Sequence, residues 1–428
     1  MAESTRRNFL KKNLIGGAVI ATGIPFLYGS SDNPSMNETI PFKLDNKDYE
    51  SIDWSQIRAE FLFPADRNYL NTASLGPSPK VVVDSICESI RELDTNCSHG
   101  HHLAEKVHEK VAAFLNVTRD EIAITRNATE GMNIIARSLR LQKGDEIIIT
   151  THEHVGGAAP WLALQKDGGV VVKLVDLDLS GTNNLERIKA LITKKTKAIA
   201  FSHITCTTGM LLPAKEIAKL CREKGIYSCV DGAQALGMFP IDLSDMDPDF
   251  YTTSGHKWLF GPKGTGVLYI KKSIREKYDP TYVGAYSDKT YDLNSLTMTY
   301  RLSAQREEYG TRNAPNIIGL GTAIDFMEEI GMENVAKRGR ELANYFRKGL
   351  TQFEAIEILT PVEENYSASI LTFKIAGLDN LELNQKLNSE KGIRLRGIYE
   401  NDLNAIRVSF AVFNSFEEID QLLVALSE

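Results

Sequence analysis

The chain is short of cysteine and tryptophan, carries no excess of basic charge and has no apolar run long enough to cross a membrane. Its five cysteines in 428 residues, Cys87, Cys97, Cys206, Cys221 and Cys229, form no CxxC pair. That argues against a disulfide scaffold and supplies no cysteine-based metal motif. Cys221 and Cys229 fall in a helix-to-strand stretch that reads as core, where a free thiol packs as a small hydrophobe. A net charge of −7 offers no basic face to a phosphate backbone, so no nucleic-acid partner is expected. No internal repeat or low-complexity segment stands out. The apolar stretch from Leu14 to Tyr28 contains Gly16, Gly17, Gly23 and Pro25. It is too short and too glycine-rich for a stable spanning helix.

What precedes that stretch is informative. Ser4 to Lys11 reads STRRNFLK, a twin-arginine pattern, and residues 1–30 together read as an export signal. The twin-arginine route carries folded proteins. The expected partner is that export machinery and the expected destination the periplasm, with no clean cleavage site near Gly29-Ser30. Residues 31–65 read as a polar, turn-rich linker and N-terminal segment. Beyond them, helical periodicity covers Pro79–Leu93 and Leu103–Leu115. Strand-like runs at Glu146–Thr151, Gly169–Val175, Ala198–His203, Ile226–Val230 and Gly266–Ile270 then alternate with helical ones. The pattern predicts a large α/β domain over 66–295, with a mostly parallel sheet flanked by helices. Long helices at Ile317–Ile330 and Val335–Phe353, strands near Ala368–Ile375 and Ala405–Phe410, and a helix from Ser415 predict a smaller α+β domain over 296–428.

One lysine stands apart. Lys257 lies in YTTSGHKWLFGPKGTGVLYI, after a small polar turn (Ser254, Gly255, His256) and before an apolar wall (Trp258, Leu259, Phe260). A lysine that must lose its proton and attack an aldehyde needs such partial desolvation. Upstream, IYSCVDGAQAL ends an apolar run in Asp231, followed by Gly232, Ala233 and Gln234. Read alone, Asp231 is a helix-capping residue in a βα loop. Read with Lys257, it is a buried carboxylate in need of a cationic partner, and a pyridinium nitrogen is one. The pair looks like the two ends of one pyridoxal 5′-phosphate cofactor.

From about Tyr69 to the C-terminus the chain resembles the class V aminotransferases of pyridoxal-phosphate fold type I, which include cysteine desulfurases and isopenicillin N epimerase. The likeness rests on NATEGMN at Asn127–Asn133, HEHVGGAAPW around His154, Asp231 with Gln234, the SGHK turn, EEYGTRNAP around Thr311, and IRVSFAVFN around Arg407. It implies that Lys257 holds the cofactor as an internal aldimine and then acts as base at Cα. Asp231 would sustain the electron sink, His154 stack on the ring and Gln234 meet the ring hydroxyl. Ala128, Thr129, Ser254 and His256 would hold the phosphate, together with Thr311 of a neighbouring subunit in a homodimer with shared sites. Arg407 would bind a substrate carboxylate, with Asn71 and Arg312 as further substrate-binding candidates and a small amine or amino acid as substrate. No metal site is implied.

Two departures bear on the reaction. No cysteine lies between Lys391 and Arg407, where the family's desulfurases carry a nucleophilic one, and SHITCTTG sets Cys206 where an asparagine is usual. The reading that follows favours amino-group transfer. Epimerisation, β-elimination on a cysteine or selenocysteine type of substrate, and tailoring of an exported siderophore-like metabolite are the alternatives. The histidines His99, His101, His102 and His108 read as a solvated helix start rather than a metal site, although His101, Glu105 and His108 share a helical face.

Overall fold

The computed structural model describes residues 41–64 and 67–428, so the twin-arginine segment lies outside the described residues. The described residues form one compact unit. Its centre is a seven-stranded sheet: β1 (Ile122–Thr125), β2 (Glu146–Thr150), β3 (Val171–Val175), β4 (Thr196–Ser202), β5 (Tyr227–Asp231), β6 (Phe250–Ser254) and β7 (Gly266–Ile270). The spatial order is β1-β7-β6-β5-β4-β2-β3, and only β7 runs against its neighbours. The inner strands are buried on both faces, whereas the edge strand β3 leaves Val171 and Leu174 exposed. Along β2, Ile148 joins one core, whereas Ile147 and Ile149 join the other with Ala198, Ala200 and Cys229. The helices Ala128–Ser138 and Val155–Gly168 lie on the second core; Lys80–Thr95, His101–Phe114 and Ala314–Ile330 pack together beside the first.

A second, antiparallel sheet orders Ile356–Ile358, Ile370–Ile375, Ala405–Ser409 and Arg396–Ile398 side by side. Its core of Phe346, Phe373, Phe410 and Leu422 is closed by the helices Met332–Leu350 and Phe416–Ser427. Ser415 and Glu418 form a capping box at the start of the last helix. The expected elements are therefore present, within a few residues of their expected ends. Residues 41–64, by contrast, are not a solvated linker. Ile57 is fully buried, Leu44 and Phe61 join the main core, and Leu44 N–H donates to Glu329 at 3.1 Å. Their apolar side chains are spaced too widely among polar ones to show a period. Unforeseen too is the hairpin Asp288–Asp292/Thr297–Tyr300, whose turn contains the expected domain boundary at 295.

Candidate active site

The carboxyl ends of β1, β2, β4, β5 and β6 converge on one cavity of about 290 Å³. A parallel sheet presents its loops there, which is where ligands of such folds sit. After β1, Asn127 caps the helix Ala128–Ser138 by accepting from Glu130 N–H at 2.8 Å, and Ala128 N–H donates to Ser254 Oγ at 3.2 Å. This helix start brings a partial positive charge to the cavity wall, beside Thr129. After β2, His154 caps the helix Val155–Gly168: its Nδ1 accepts from Gly156 N–H at 3.0 Å, which leaves the proton on Nε2. Burial, then the nearby Lys257, lower its pKa to about 4. It is therefore a neutral flat ring near pH 7. Gly156 is glycine for space, since a Cβ there would stand 2.3 Å from Thr129 Oγ1.

Asp231 closes β5 with its side chain 94% buried (relative exposure 6%), and its Oδ1 accepts from Ala233 N–H at 2.9 Å. Burial raises its carboxyl, while that N–H and Lys257 oppose the rise. Lys257 follows β6 through the turn Ser254-Gly255-His256. Burial lowers its ammonium and the Asp231 carboxylate raises it, with lowering the net result. A loop from the N-terminal part of the chain seals this turn: Gly76 N–H donates to the His256 carbonyl at 2.8 Å. Gln234 is fixed at both ends of its amide. Its oxygen accepts from Trp258 Nε1 at 2.8 Å and its nitrogen donates to the Ala73 carbonyl at 2.9 Å, which leaves one N–H to spare.

Arg407 is 1% exposed and comes from the second sheet. Its Nη1 donates to the Cys206 carbonyl at 2.7 Å; its Nη2 donates to Ser74 Oγ at 2.8 Å and Asn71 Oδ1 at 3.3 Å. Burial and then the neighbouring Arg396 bring its pKa down to about 10, so it stays cationic. Cys206 lines the same cavity, and burial raises its thiol pKa.

The structure thus gathers Ala128, Thr129, His154, Asp231, Gln234, Ser254, His256, Lys257 and Arg407 around one space. Asn71 stands behind Arg407 and orients it. Thr311 is exposed, and Arg312 lines a separate cavity with His99, His101, His102 and His108, donating to the Ile124 carbonyl at 2.8 Å. Both belong to a shared site only if a second copy brings them. In that separate cavity His108 is buried between the Ala104 carbonyl (2.6 Å) and Glu308 (2.7 Å), and is no solvated helix residue. Among the described residues no cluster of histidine, cysteine and carboxylates is placed to hold a metal.

Two cavity-side residues escaped sequence reasoning. Arg396 pairs with Glu400 at 2.5 Å and sits opposite Arg407 in the strand register, a relation visible only once the strands are paired. Glu153 lies under the cavity floor; its signal was a charged residue at the end of an apolar strand run, next to His154.

The residues fit a phosphorylated pyridine aldehyde. His256 Nδ1 is buried without a hydrogen-bond partner beside the helix start, as a phosphate contact requires. A buried acid for the ring nitrogen and a desolvated amine for the aldehyde complete the set. The aminotransferase class-V family profile matches residues 68–422. A cysteine desulfurase of Haloferax volcanii is 31% identical over 84% of this chain and 88% of its own length. The apo structure of a cysteine desulfurase from Thermococcus onnurineus NA1 superposes with a TM-score of 0.79 at 26% identity, covering 86% of this chain and 96% of that one. A complex of the cystine C–S lyase C-DES with its product cysteine persulfide gives 0.78 at 28% identity, covering 85% and 98%. A variant of C-DES carries glycine covalently linked to its pyridoxal-phosphate cofactor, with a TM-score of 0.80 at 28% identity over 87% of this chain and 99% of that one. With this fold, this cavity and this breadth of match, the chain belongs to the aminotransferase class-V family of pyridoxal-phosphate-dependent fold type I enzymes.

Proposed function

We propose that the enzyme is a C–S lyase acting on cysteine or a cysteine-type amino acid such as cystine. The observation that carries this is the cavity mouth. Arg407 stands ready for an amino-acid carboxylate, and the stretch where desulfurases keep a nucleophilic thiol instead holds the Arg396–Glu400 pair and no cysteine. Sulfur then has no thiol on that loop to pass to. The names of the relatives, desulfurases and a cystine C–S lyase, favour this reading over amino-group transfer.

When bound, the cofactor supplies an electron sink for the pair left at Cα. Arg407 grips the substrate carboxylate in a charge-assisted pair, and Asn71 and Ser74 hold the guanidinium in place. Lys257 Nζ, freed by the incoming amine, takes the Cα proton; its depressed pKa keeps a larger fraction as neutral amine. The Cβ–S bond breaks with both electrons leaving on sulfur, which accepts a proton and departs as sulfide, or as cysteine persulfide from cystine. The three-carbon fragment adds water and leaves as pyruvate and ammonium. Asp231 would serve as the acid partner of the ring nitrogen, and neutral His154 would offer its face without competing for charge.

Sulfide, pyruvate, alanine and pyridoxamine phosphate, measured together after mixing the loaded enzyme with L-cysteine or L-cystine, separate the readings. Pyruvate in step with sulfide or persulfide is expected. Alanine as the main carbon product would instead demand a thiol acceptor, and pyridoxamine phosphate would restore amino-group transfer. We also propose a homodimer in which exposed Thr311 reaches a neighbour's phosphate site, and a periplasmic location resting on the twin-arginine segment Ser4–Lys11.

A further inference from the structure

Behind the cavity floor lies a second acid. Glu153 is partly buried between the ends of β2 and β4: Oε1 accepts from Thr150 Oγ1 at 2.5 Å and from Ser202 N–H at 3.1 Å, and Oε2 from Ser202 Oγ at 2.7 Å. It precedes His154 in the chain, so whatever holds Glu153 also fixes the Cα of the stacking histidine. It faces Asp231 across the first turn of the helix Val155–Gly168. A Cβ added at Gly157 would stand 3.0 Å from Asp231 Oδ2 and 3.6 Å from Glu153 Oε2. Both carboxyls therefore border the same glycine, at a helix start whose partial positive charge suits them.

We propose that Glu153 is a positioning residue of this active site, tying β2 and β4 to the segment that carries His154 and setting the field behind Asp231. The assignment holds whichever substrate bond is broken. Two carboxyls that border one glycine disfavour each other's ionisation. Burial pushes the Glu153 carboxyl up to about 7, the Asp231 charge adds to that, and the hydroxyls of Thr150 and Ser202 work against it. Several titratable groups face the pair. Lys257, on the turn after β6, is the nearby amine. His154 on its own segment and His203 after β4 have pKa values of about 4, and the Tyr251 phenol on β6 is raised well above its ordinary value. Glu153, pushed up to about 7, changes charge near neutral pH.

Two substitutions test this. Glu153→Gln keeps the hydrogen-bonding shape but cannot ionise; Glu153→Ala removes both. Pyridoxal phosphate affinity is measured by fluorescence titration of the cofactor-free protein, and the visible absorbance of the loaded protein is followed from pH 5 to 10. Glu153→Gln is expected to bind the cofactor within about threefold of the parent. A negative charge behind the ring favours the protonated, cationic state, so removing it lowers the pH midpoint of the absorbance change, by roughly half a unit or more. Glu153→Ala is expected to bind about tenfold or more weakly. A Glu153→Gln midpoint equal to that of the parent overturns the proposal, as does parent-like affinity in Glu153→Ala. Should the alanine variant not fold, the glutamine midpoint decides alone.

Discussion

Replacing Arg407 with lysine probes the substrate end of the site while keeping its charge. The guanidinium has five N–H groups; three hydrogen bonds fix it to Cys206, Ser74 and Asn71, which leaves two N–H groups, Nε–H among them, for a carboxylate. Charge-assisted hydrogen bonds contribute about 1.5–3 kcal/mol each in a buried site. A lysine ammonium recovers part of the Coulomb term but none of the fork geometry. We expect Arg407→Lys to lose about 2–3 kcal/mol of carboxylate binding, a factor of roughly 30 to 150. Glycine and methylamine make a clean pair of probes, since both are amines that displace Lys257 and only glycine carries a carboxylate. Spectroscopic titration of the loaded enzyme should show the parent preferring glycine and the variant treating the two nearly alike, with methylamine affinity unchanged. An undiminished preference for glycine in Arg407→Lys would refute the role of the guanidinium, provided cofactor occupancy and thermal midpoint match the parent.

Three further outcomes follow from the same geometry. Lys257→Ala should abolish the covalent attachment of cofactor to the protein after borohydride reduction, read by mass spectrometry, while the apoprotein keeps its circular dichroism. Gly76→Ala should destabilise by roughly 2 kcal/mol or more, because a Cβ there meets the Lys257 carbonyl oxygen at 1.9 Å; thermal unfolding and cofactor affinity should fall together. His108 is the pH-sensitive case. Burial alone would lower its pKa, but the Glu308 carboxylate at 2.7 Å and the Ala104 carbonyl raise it overall. A raised folded-state value means the stabilisation is complete below the unfolded value of about 6.5 and fades as pH climbs through the folded one. The stability gap between the parent and His108→Phe should thus be wide at pH 6 and narrower at pH 9 in urea unfolding, and a gap that widens with pH would refute the ion pair.

How far this site was legible depends on which physical signal each residue leaves in the linear chain. Asp231 and Lys257 announce themselves because an ionisable group at the end of an apolar run is costly unless it has a partner, and each is the other's explanation. Ala128, Thr129, Ser254, His256 and Arg407 were named through the family resemblance, which their short motifs carry. Arg396, the neighbour of Arg407, was not, since their proximity arises from antiparallel pairing of strands with a loop between them. Of the loop Asn71–Gly76 only Asn71 was named, as a substrate-binding candidate. The loop's backbone seals the lysine turn from the far end of the sequence, and Asn71 acts on the substrate side only by orienting Arg407. Glu153 is the instructive middle case. Its sequence context, a carboxylate between His152 and His154 at a strand end, carries the same warning of a costly buried charge as Asp231. Its partners, however, are Thr150 and Ser202, neutral hydroxyls that bear no mark of the role. Local chemistry reveals the groups that meet the cofactor; the residues that aim those groups are found only when distant strand ends are brought side by side.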